Sequence, residues 1–370
     1  MSQTSDSKVS EQSLPGSTLS NFFHLMWQNK FNISWKYLPR ALFAFFIVLL
    51  TTPLRIIDSL VYLVKINKRK ISKDPVFIIG HWRSGTTYLH MLFAQDKQFG
   101  FASNLHAFMP HVFLSGEGIF RRSIRNVMPK TRRMDNFPLK VDYPSEEEFA
   151  IANTTPYSFY NGLPFPKNRK YYAKFITFKN KPKQSKKWKR AYKRFIKKVS
   201  YKFDGKQLVL KNPPNTGRLK ILLDLFPNAK FVHIYRNPYK VFPSTKKMYE
   251  KMFPYFFLQK AKVVPTDFIL NVYREMYQEY LKQKEFIPEE NLVEISYESF
   301  LEDPLATMKH IYDSLNVAGF SEAKAAMKAY IDDQKSYKPN KHQLSAEMIQ
   351  KINNQWGFMI EAFGYKKRTP

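Results

Sequence analysis

The residues of this chain best suited to chemistry stand together between Val76 and His90, V-F-I-I-G-H-W-R-S-G-T-T-Y-L-H. Arg83, Ser84, Thr86 and Thr87 place hydrogen-bond donors around Gly85, a set that suits an anion. Their setting points the same way. An apolar run of strand length, Val76 to Ile79, stops at Gly80, a short polar loop follows, and helix-compatible residues resume at Thr86. In such a strand–loop–helix turn the first backbone N–H groups of the helix have no partner within it and point at the loop, so the site favours a phosphate or sulfate. Gly85 lets the backbone come close to that ligand. The spacing from Gly80 to Gly85 matches the nucleotide-binding P-loop, but that motif next requires Lys followed by Ser or Thr, and Thr86 stands at the Lys position. The cation has moved into the loop, to Arg83.

The elements around this stretch belong to an α/β protein. With 370 residues and 44% hydrophobic content the chain can build a large core, and 60 Lys and Arg against 30 Asp and Glu leave a net charge of +30. That charge implies acidic partners: nucleic acid, an anionic membrane surface or a polyanionic co-substrate. There is no cysteine, which excludes disulfides, thiolate nucleophiles and Cys-based zinc sites.

The pattern divides the chain into a polar, disordered tail (1–18), a hydrophobic, membrane-associated helical segment (19–70) and an α/β domain (71–370). Within the second part, Ala41 to Leu50 is wholly apolar but is bounded by Pro39 and Arg40 before it and by Pro53, Arg55 and Asp58 after it. A spanning helix needs about 20 apolar residues, so this run is short for a span. A pair of helices lying at a membrane interface is expected instead, with Trp27, Trp35, Tyr37 and Tyr62 at headgroup depth and Lys65, Lys68, Arg69 and Lys70 on anionic lipid. The competing readings are a helical hairpin packed on the domain's own surface and a true span.

Further along, Gln207 to Lys211 and Lys230 to Tyr235 read as buried strands, the first ending in Lys211 before Asn212, Pro213 and Pro214, the second followed by Arg236, Asn237, Pro238 and then Ser244. Asn291 to Ile295 is another strand, and Thr216 to Leu225 reads as a helix. Ligands of open α/β sheets bind at the carboxyl ends of the strands, which puts Lys211 and Arg236 where function is expected. Ser145 followed by Glu148 reads as a capping box, with Glu146 and Glu147 in the first turn of the same helix. From Lys179 to Lys206 the chain is densely basic, with Trp188, Tyr192, Phe195, Ile196 and Val199 at helical spacing. This reads as a surface helix with a solvated basic face, because no nucleic-acid-reading module surrounds it.

Taken together, the loop at Val76–His90, Lys211 at a strand end, and Arg236-x-Pro238 with Ser244 resemble the sulfotransferases that use 3′-phosphoadenosine 5′-phosphosulfate (PAPS), and the bacterial type most closely. The resemblance runs from about Asp74 to Tyr365. It implies a P-loop-like fold, a parallel central sheet flanked by helices, and sulfuryl transfer from PAPS to a hydroxyl, with no metal. On that basis Arg83, Ser84, Gly85, Thr86 and Thr87 hold the 5′-phosphosulfate, Tyr88 stacks on adenine, and Arg236 and Ser244 take the 3′-phosphate. Lys211, with Arg83, neutralises the transferring group, and Lys338 and Lys341 belong to a cationic loop over the nucleotide. Pro213 stands where cytosolic members carry their catalytic His. The base is therefore sought at His106, with His111 in reserve, or at Glu147, which could equally pair with Arg83 or Lys211.

The expected acceptor is a small molecule with a hydroxyl on an apolar body, a sterol or lipid alcohol ahead of a carbohydrate, given the aromatic content and the membrane-seeking segment. The expected partners are an anionic membrane surface, on its cytoplasmic side, and no nucleic acid; the oligomeric state is left open. Two rival classes remain: a P-loop kinase or NTPase, which needs the missing Lys, and a nucleic-acid-binding protein using Lys179 to Lys206.

Overall fold

A computed structural model describes residues 13–132, 137–261, 264–334 and 344–370. The chain forms two compact units: one from Met1–Ile71, Ala102–Gly205 and Tyr249–Val263, the other from Ser72–Phe101, Lys206–Met248 and Val264–Pro370. The helices of the N-terminal hydrophobic segment thus share a unit with residues 102–205.

The second unit is the α/β part. Its strands are β1 (Val76–Ile79), β2 (Phe99–Gly100), β3 (Gln207–Lys211), β4 (Lys230–Tyr235) and β5 (Leu292–Ser296). They form one sheet in the order β2-β3-β1-β4-β5, every pairing parallel. Parallel strands need helical crossovers and are covered on both faces, which explains why β1, β3 and β4 read as continuous apolar runs. On one face Val76, Ile78, Val209, Val232 and Ile234 pack with Leu89, Leu92 and Phe93 of the helix Thr86–Phe93 and with Met308, Ile311 and Tyr312 of Pro304–Ser314. On the other, Phe77 stacks on Phe231 (5.5 Å between centroids), and His233 lies against Tyr280 (4.1 Å) of the helix Thr266–Gln283. The expected helix from Thr216 to Leu225 is instead a 3-10 turn, Pro213–Gly217, and a short helix, Leu219–Leu223. Pro213 and Pro214 lack N–H donors, and Gly217 weakens the helix between the two pieces.

The first unit contains the helices Leu19–Gln28 and Leu38–Lys68 and the basic helix Pro182–Lys202. In the basic helix Trp188, Tyr192, Phe195, Ile196 and Val199 are buried, as their spacing implies. Leu38–Lys68 runs through Pro53, one of the residues that bound the apolar run Ala41 to Leu50. Proline removes the ladder bond to the Leu49 carbonyl, and in the turn before it the hydroxyls of Thr51 and Thr52 donate to the carbonyls of Ile47 and Val48 (2.7 Å each), which keeps those hydroxyls satisfied within the helix. The helix is about 45 Å long at 1.5 Å per residue. The two charges that follow the apolar run face inward: Asp58 pairs with Lys198 (2.8 Å), and Arg55 donates to the carbonyl of Pro15 (2.9 Å).

Candidate active site

The site of the second unit is built at the carboxyl ends of three neighbouring strands. In register, Ile78 of β1 lies beside Lys211 of β3 and Ile79 beside His233 of β4, so the loop after β1 is flanked by Lys211 on one side and by the Arg236 segment on the other. Adjacent strands lie about 4.8 Å apart, which brings the three strand ends within reach of one ligand.

The loop itself is tightly tied. Gly80 has φ +139°, and a Cβ there would lie 2.2 Å from the carbonyl oxygen of Ile234, so only glycine fits. Its N–H donates to Thr216 Oγ1 (2.8 Å), and the N–H of His81 donates to the hydroxyl of Tyr277 (3.3 Å). Burial pushes His81 down to about 3, against an opposing bond to the Trp82 carbonyl, so its ring is neutral near pH 7. Ser84 donates from Oγ to the carbonyl of His81 (2.7 Å), closing the turn. Gly85, at φ +97°, caps the helix Thr86–Phe93 and turns its first N–H groups toward the loop.

Arg83 adopts a left-handed backbone (φ +72°), which costs a residue with a Cβ. Two bonds hold it there. Its Nε donates to Ser244 Oγ (2.9 Å), and its carbonyl accepts from Arg236 Nη1 (2.9 Å). The Arg236 guanidinium lies 4.2 Å from the centre of the Tyr297 ring. The same ring walls Gly85, where a Cβ would meet Tyr297 Cδ2 at 2.4 Å. The two anion sites that the spacing kept apart are therefore one cluster, joined through Arg83. Neither Thr216 nor Tyr297 was singled out as a site residue from the sequence; both act through backbone and ring contacts that no motif encodes.

The other expected site residues divide by unit. Thr86 is buried and Thr87 half-buried on the first turn of their helix. Tyr88 turns its ring to Phe300 (5.2 Å) and Tyr330 (6.3 Å), and burial pushes its hydroxyl up to about 12. Lys211 is buried, and His90, whose Nε2–H donates to the Val209 carbonyl (3.3 Å), is pushed down to about 3 by burial and then by the Lys211 cation. Lys338 and Lys341 lie outside the described residues.

His106, His111 and Glu147 belong to the first unit. The N–H of Ser103 donates to His106 Nδ1 (3.1 Å) and the N–H of His106 to Ser103 Oγ (3.4 Å), a capping box that the sequence did not show. With Nδ1 accepting, the neutral ring carries its proton on Nε2 and has no lone pair for a substrate proton while the cap is closed. His111 is pushed down to about 3 by burial and by Lys198 and Arg55, and its Nε2–H donates to the Asn153 carbonyl (3.2 Å). Glu147 is fully buried, with the Tyr192 hydroxyl 3.4 Å away. The Ser145/Glu148 capping box is corrected: the helix Glu147–Thr154 begins after Glu146, and Glu148 instead accepts from Ser158 Oγ (2.8 Å) and the Phe159 N–H (3.1 Å). The N–H of Ser145 is committed to the Ala102 carbonyl (2.7 Å), which keeps Ser145 outside the helix.

A helix N-terminus at a glycine loop, a lysine at the next strand end and a linked Arg–Ser–Arg cluster beside the third form an arrangement suited to an anionic ligand. Residues 75–322 match the sequence model of the sulfotransferase family, and the chain belongs to that family of enzymes. It is 29% identical over 361 residues to the omega-hydroxy-beta-dihydromenaquinone-9 sulfotransferase Stf3 of Mycobacterium bovis, covering 96% of this chain and 92% of that protein. In fold it is similar to the crystal structure of sulfotransferase STF1 from Mycobacterium tuberculosis H37Rv, with a TM-score of 0.66 at 18% identity over 92% of this chain and 91% of the other. STF9 from Mycobacterium avium superposes with a TM-score of 0.64 at 15% identity, over 96% and 98% of the two chains.

Proposed function

We propose that this enzyme moves a sulfuryl group from PAPS to the hydroxyl of an apolar, lipid-like acceptor at the cytoplasmic side of a membrane surface, without a metal. The observation that carries the donor is the cluster of Arg83, Ser244 and Arg236 beside the helix N-terminus at Gly85. It offers two guanidinium groups and a hydroxyl next to a helix N-terminus, a donor set suited to a ligand with phosphates at both ends. The glycines at 80 and 85 let the loop pack against the Ile234 carbonyl and the Tyr297 ring, where a Cβ would clash.

PAPS supplies the activated sulfuryl group. Helix amides with Thr86 and Thr87 hold its 5′ end, and Arg236 with Ser244 takes the 3′-phosphate. Arg83 braces the two, and Lys211 offsets charge that builds on the transferring oxygens. Lys338 and Lys341 are retained as cations for the nucleotide. The acceptor hydroxyl needs a base, His106 or Glu147, and the capping bond on His106 Nδ1 favours Glu147. Glu147→Gln should then abolish turnover with donor affinity kept; full turnover in that variant assigns the base elsewhere.

The acceptor class is supported by the 29% identical relative, whose name carries a hydroxylated menaquinone, and it favours a lipid alcohol over a sterol. Radiolabelled PAPS with the full-length protein and a panel of lipid alcohols, sterols, phenols and glycans tests it. Transfer to lipid alcohols is expected. Transfer to glycans alone overturns the acceptor assignment while leaving the donor site standing.

A further inference from the structure

Leu38–Lys68 buries charged residues among small apolar ones and exposes its large apolar side chains. The side it buries in the first unit holds Arg55, with Nη2 on the Pro15 carbonyl (2.9 Å), and Asp58, bonded to Lys198 (2.8 Å) and to the N–H of Ser115 (3.2 Å). The side it exposes is apolar. From Leu42 to Val64 every exposed residue is apolar, and Leu42, Phe46, Leu50, Ile57, Leu60 and Val64 are between 51% and 70% exposed. Before it in the chain stand Trp27 and Trp35, 78% and 85% exposed. An outward apolar strip of this length marks an interaction surface rather than scattered surface residues.

Its surroundings choose the partner. Along the helix runs the basic helix Pro182–Lys202, with Arg194 Nη2 donating to Ser59 Oγ (3.2 Å) and Lys197 Nζ to the Asn67 carbonyl (2.8 Å). Lys30, Lys36, Lys65, Lys68 and Lys70 are exposed at the ends of the apolar segment. An apolar strip edged with cations complements an anionic lipid surface, with acyl chains against the strip and phosphates against the edge. A second copy of the same face would bring like charges together in a chain that carries +30. A span would draw Arg55 and Asp58 into hydrocarbon, away from Pro15, Ser115 and Lys198.

We propose that this face docks on an anionic phospholipid bilayer with the helix Leu38–Lys68 lying in the membrane plane, sunk about 5–10 Å to the headgroup–acyl boundary. It deepens the membrane-side reading above but is read without turnover, so the two fail separately: donor affinity reports the second unit and vesicle binding reports this face.

The test is flotation of the full-length protein with vesicles of phosphatidylcholine alone or mixed in equal parts with phosphatidylglycerol. Binding to the anionic vesicles is expected, together with quenching of tryptophan fluorescence by lipids brominated near the headgroup end of the acyl chain. That signal reports Trp27 and Trp35, because Trp82, Trp188 and Trp356 are buried. The double substitution Ile57→Asp and Leu60→Asp, at exposed positions, should lower vesicle binding at least about tenfold, roughly 1.4 kcal/mol, with thermal midpoint and affinity for 3′-phosphoadenosine 5′-phosphate unchanged. Since the chain has no cysteine, Lys36→Cys and Lys70→Cys report the two ends. Both should react with an impermeant maleimide added outside. Failure to bind anionic vesicles, protection of one end, or a dimer dissolved by Leu60→Asp in place of lipid binding overturns the proposal.

Discussion

Replacing Gly85 by alanine probes the point where the loop, the helix N-terminus and the arginine cluster meet. Gly85 sits at φ +97°, where a residue with a Cβ costs about 1–2 kcal/mol. The added Cβ would lie 2.4 and 2.9 Å from Tyr297 Cδ2 and Cε2 and 3.1 Å from Ile234 Cδ1. Tyr297 is only 9% exposed, so its ring is displaced within packed surroundings, which typically costs about 1–3 kcal/mol. The sum, about 2–5 kcal/mol, is a large share of the roughly 5–15 kcal/mol that holds a domain together. Moving the ring also removes the support under Arg236, whose guanidinium lies 4.2 Å from it. Loss of one well-placed charge-assisted hydrogen bond, about 1.5–3 kcal/mol, weakens 3′-phosphoadenosine 5′-phosphate about 10- to 100-fold. Urea unfolding and calorimetric titration of Gly85→Ala read the two effects separately. A variant within about 0.5 kcal/mol of wild type that binds the bisphosphate unchanged would refute the coupling of Gly85 to Arg236 through Tyr297.

Arg83→Gly relieves a left-handed backbone at φ +72° but deletes the bond to Ser244, so urea unfolding should stay within about 1 kcal/mol of wild type while bisphosphate affinity falls at least about tenfold. Asp58→Asn leaves the Lys198 ammonium buried without its counter-charge and should cost about 3–5 kcal/mol in urea unfolding; a loss under about 1 kcal/mol contradicts the pairing. Burial alone would raise the Glu294 carboxyl, but hydrogen bonds from His233, Tyr280 and Lys284 hold it at about 2, below its ordinary 4.5. Its contribution to stability is therefore full above about pH 4.5 and lost as pH falls through about 2. The urea midpoint of Glu294→Gln should lack that slope, and an unchanged slope assigns the acid sensitivity to other groups.

The parallel sheet was readable because its inner strands are buried on both faces. Val76–Ile79, Gln207–Lys211 and Lys230–Tyr235 show as apolar runs with the observed ends, whereas Phe99–Gly100 is two residues long and carries no period. Arg83 in the loop, Arg236 just after a strand and Ser244 within the helix that follows were each visible. Their joining was not, because it depends on a left-handed Arg83 and on a backbone carbonyl, and neither leaves a mark in residue type. The length of the long N-terminal helix was hidden for a related reason. Pro53, Arg55 and Asp58 look like a boundary of the apolar run in one dimension, but the helix continues through the proline, and Pro15 and Lys198 satisfy the charges from distant parts of the chain. His106 and Glu148 exchanged expectations likewise. The capping box forms at Ser103 and His106, where a base was sought, and not at Ser145 and Glu148, where the spacing favoured one.

The central claim is that one ligand with phosphates at both ends bridges the Gly85 helix terminus and the Arg236 cluster. It is tested most directly by calorimetric titration of 3′-phosphoadenosine 5′-phosphate and of adenosine 5′-phosphate into wild type and Arg236→Ala. The account predicts that wild type binds the bisphosphate at least about tenfold more tightly than the monophosphate and that Arg236→Ala erases most of that difference. Equal affinity for the two nucleotides in wild type, or an undiminished preference in Arg236→Ala, would contradict it.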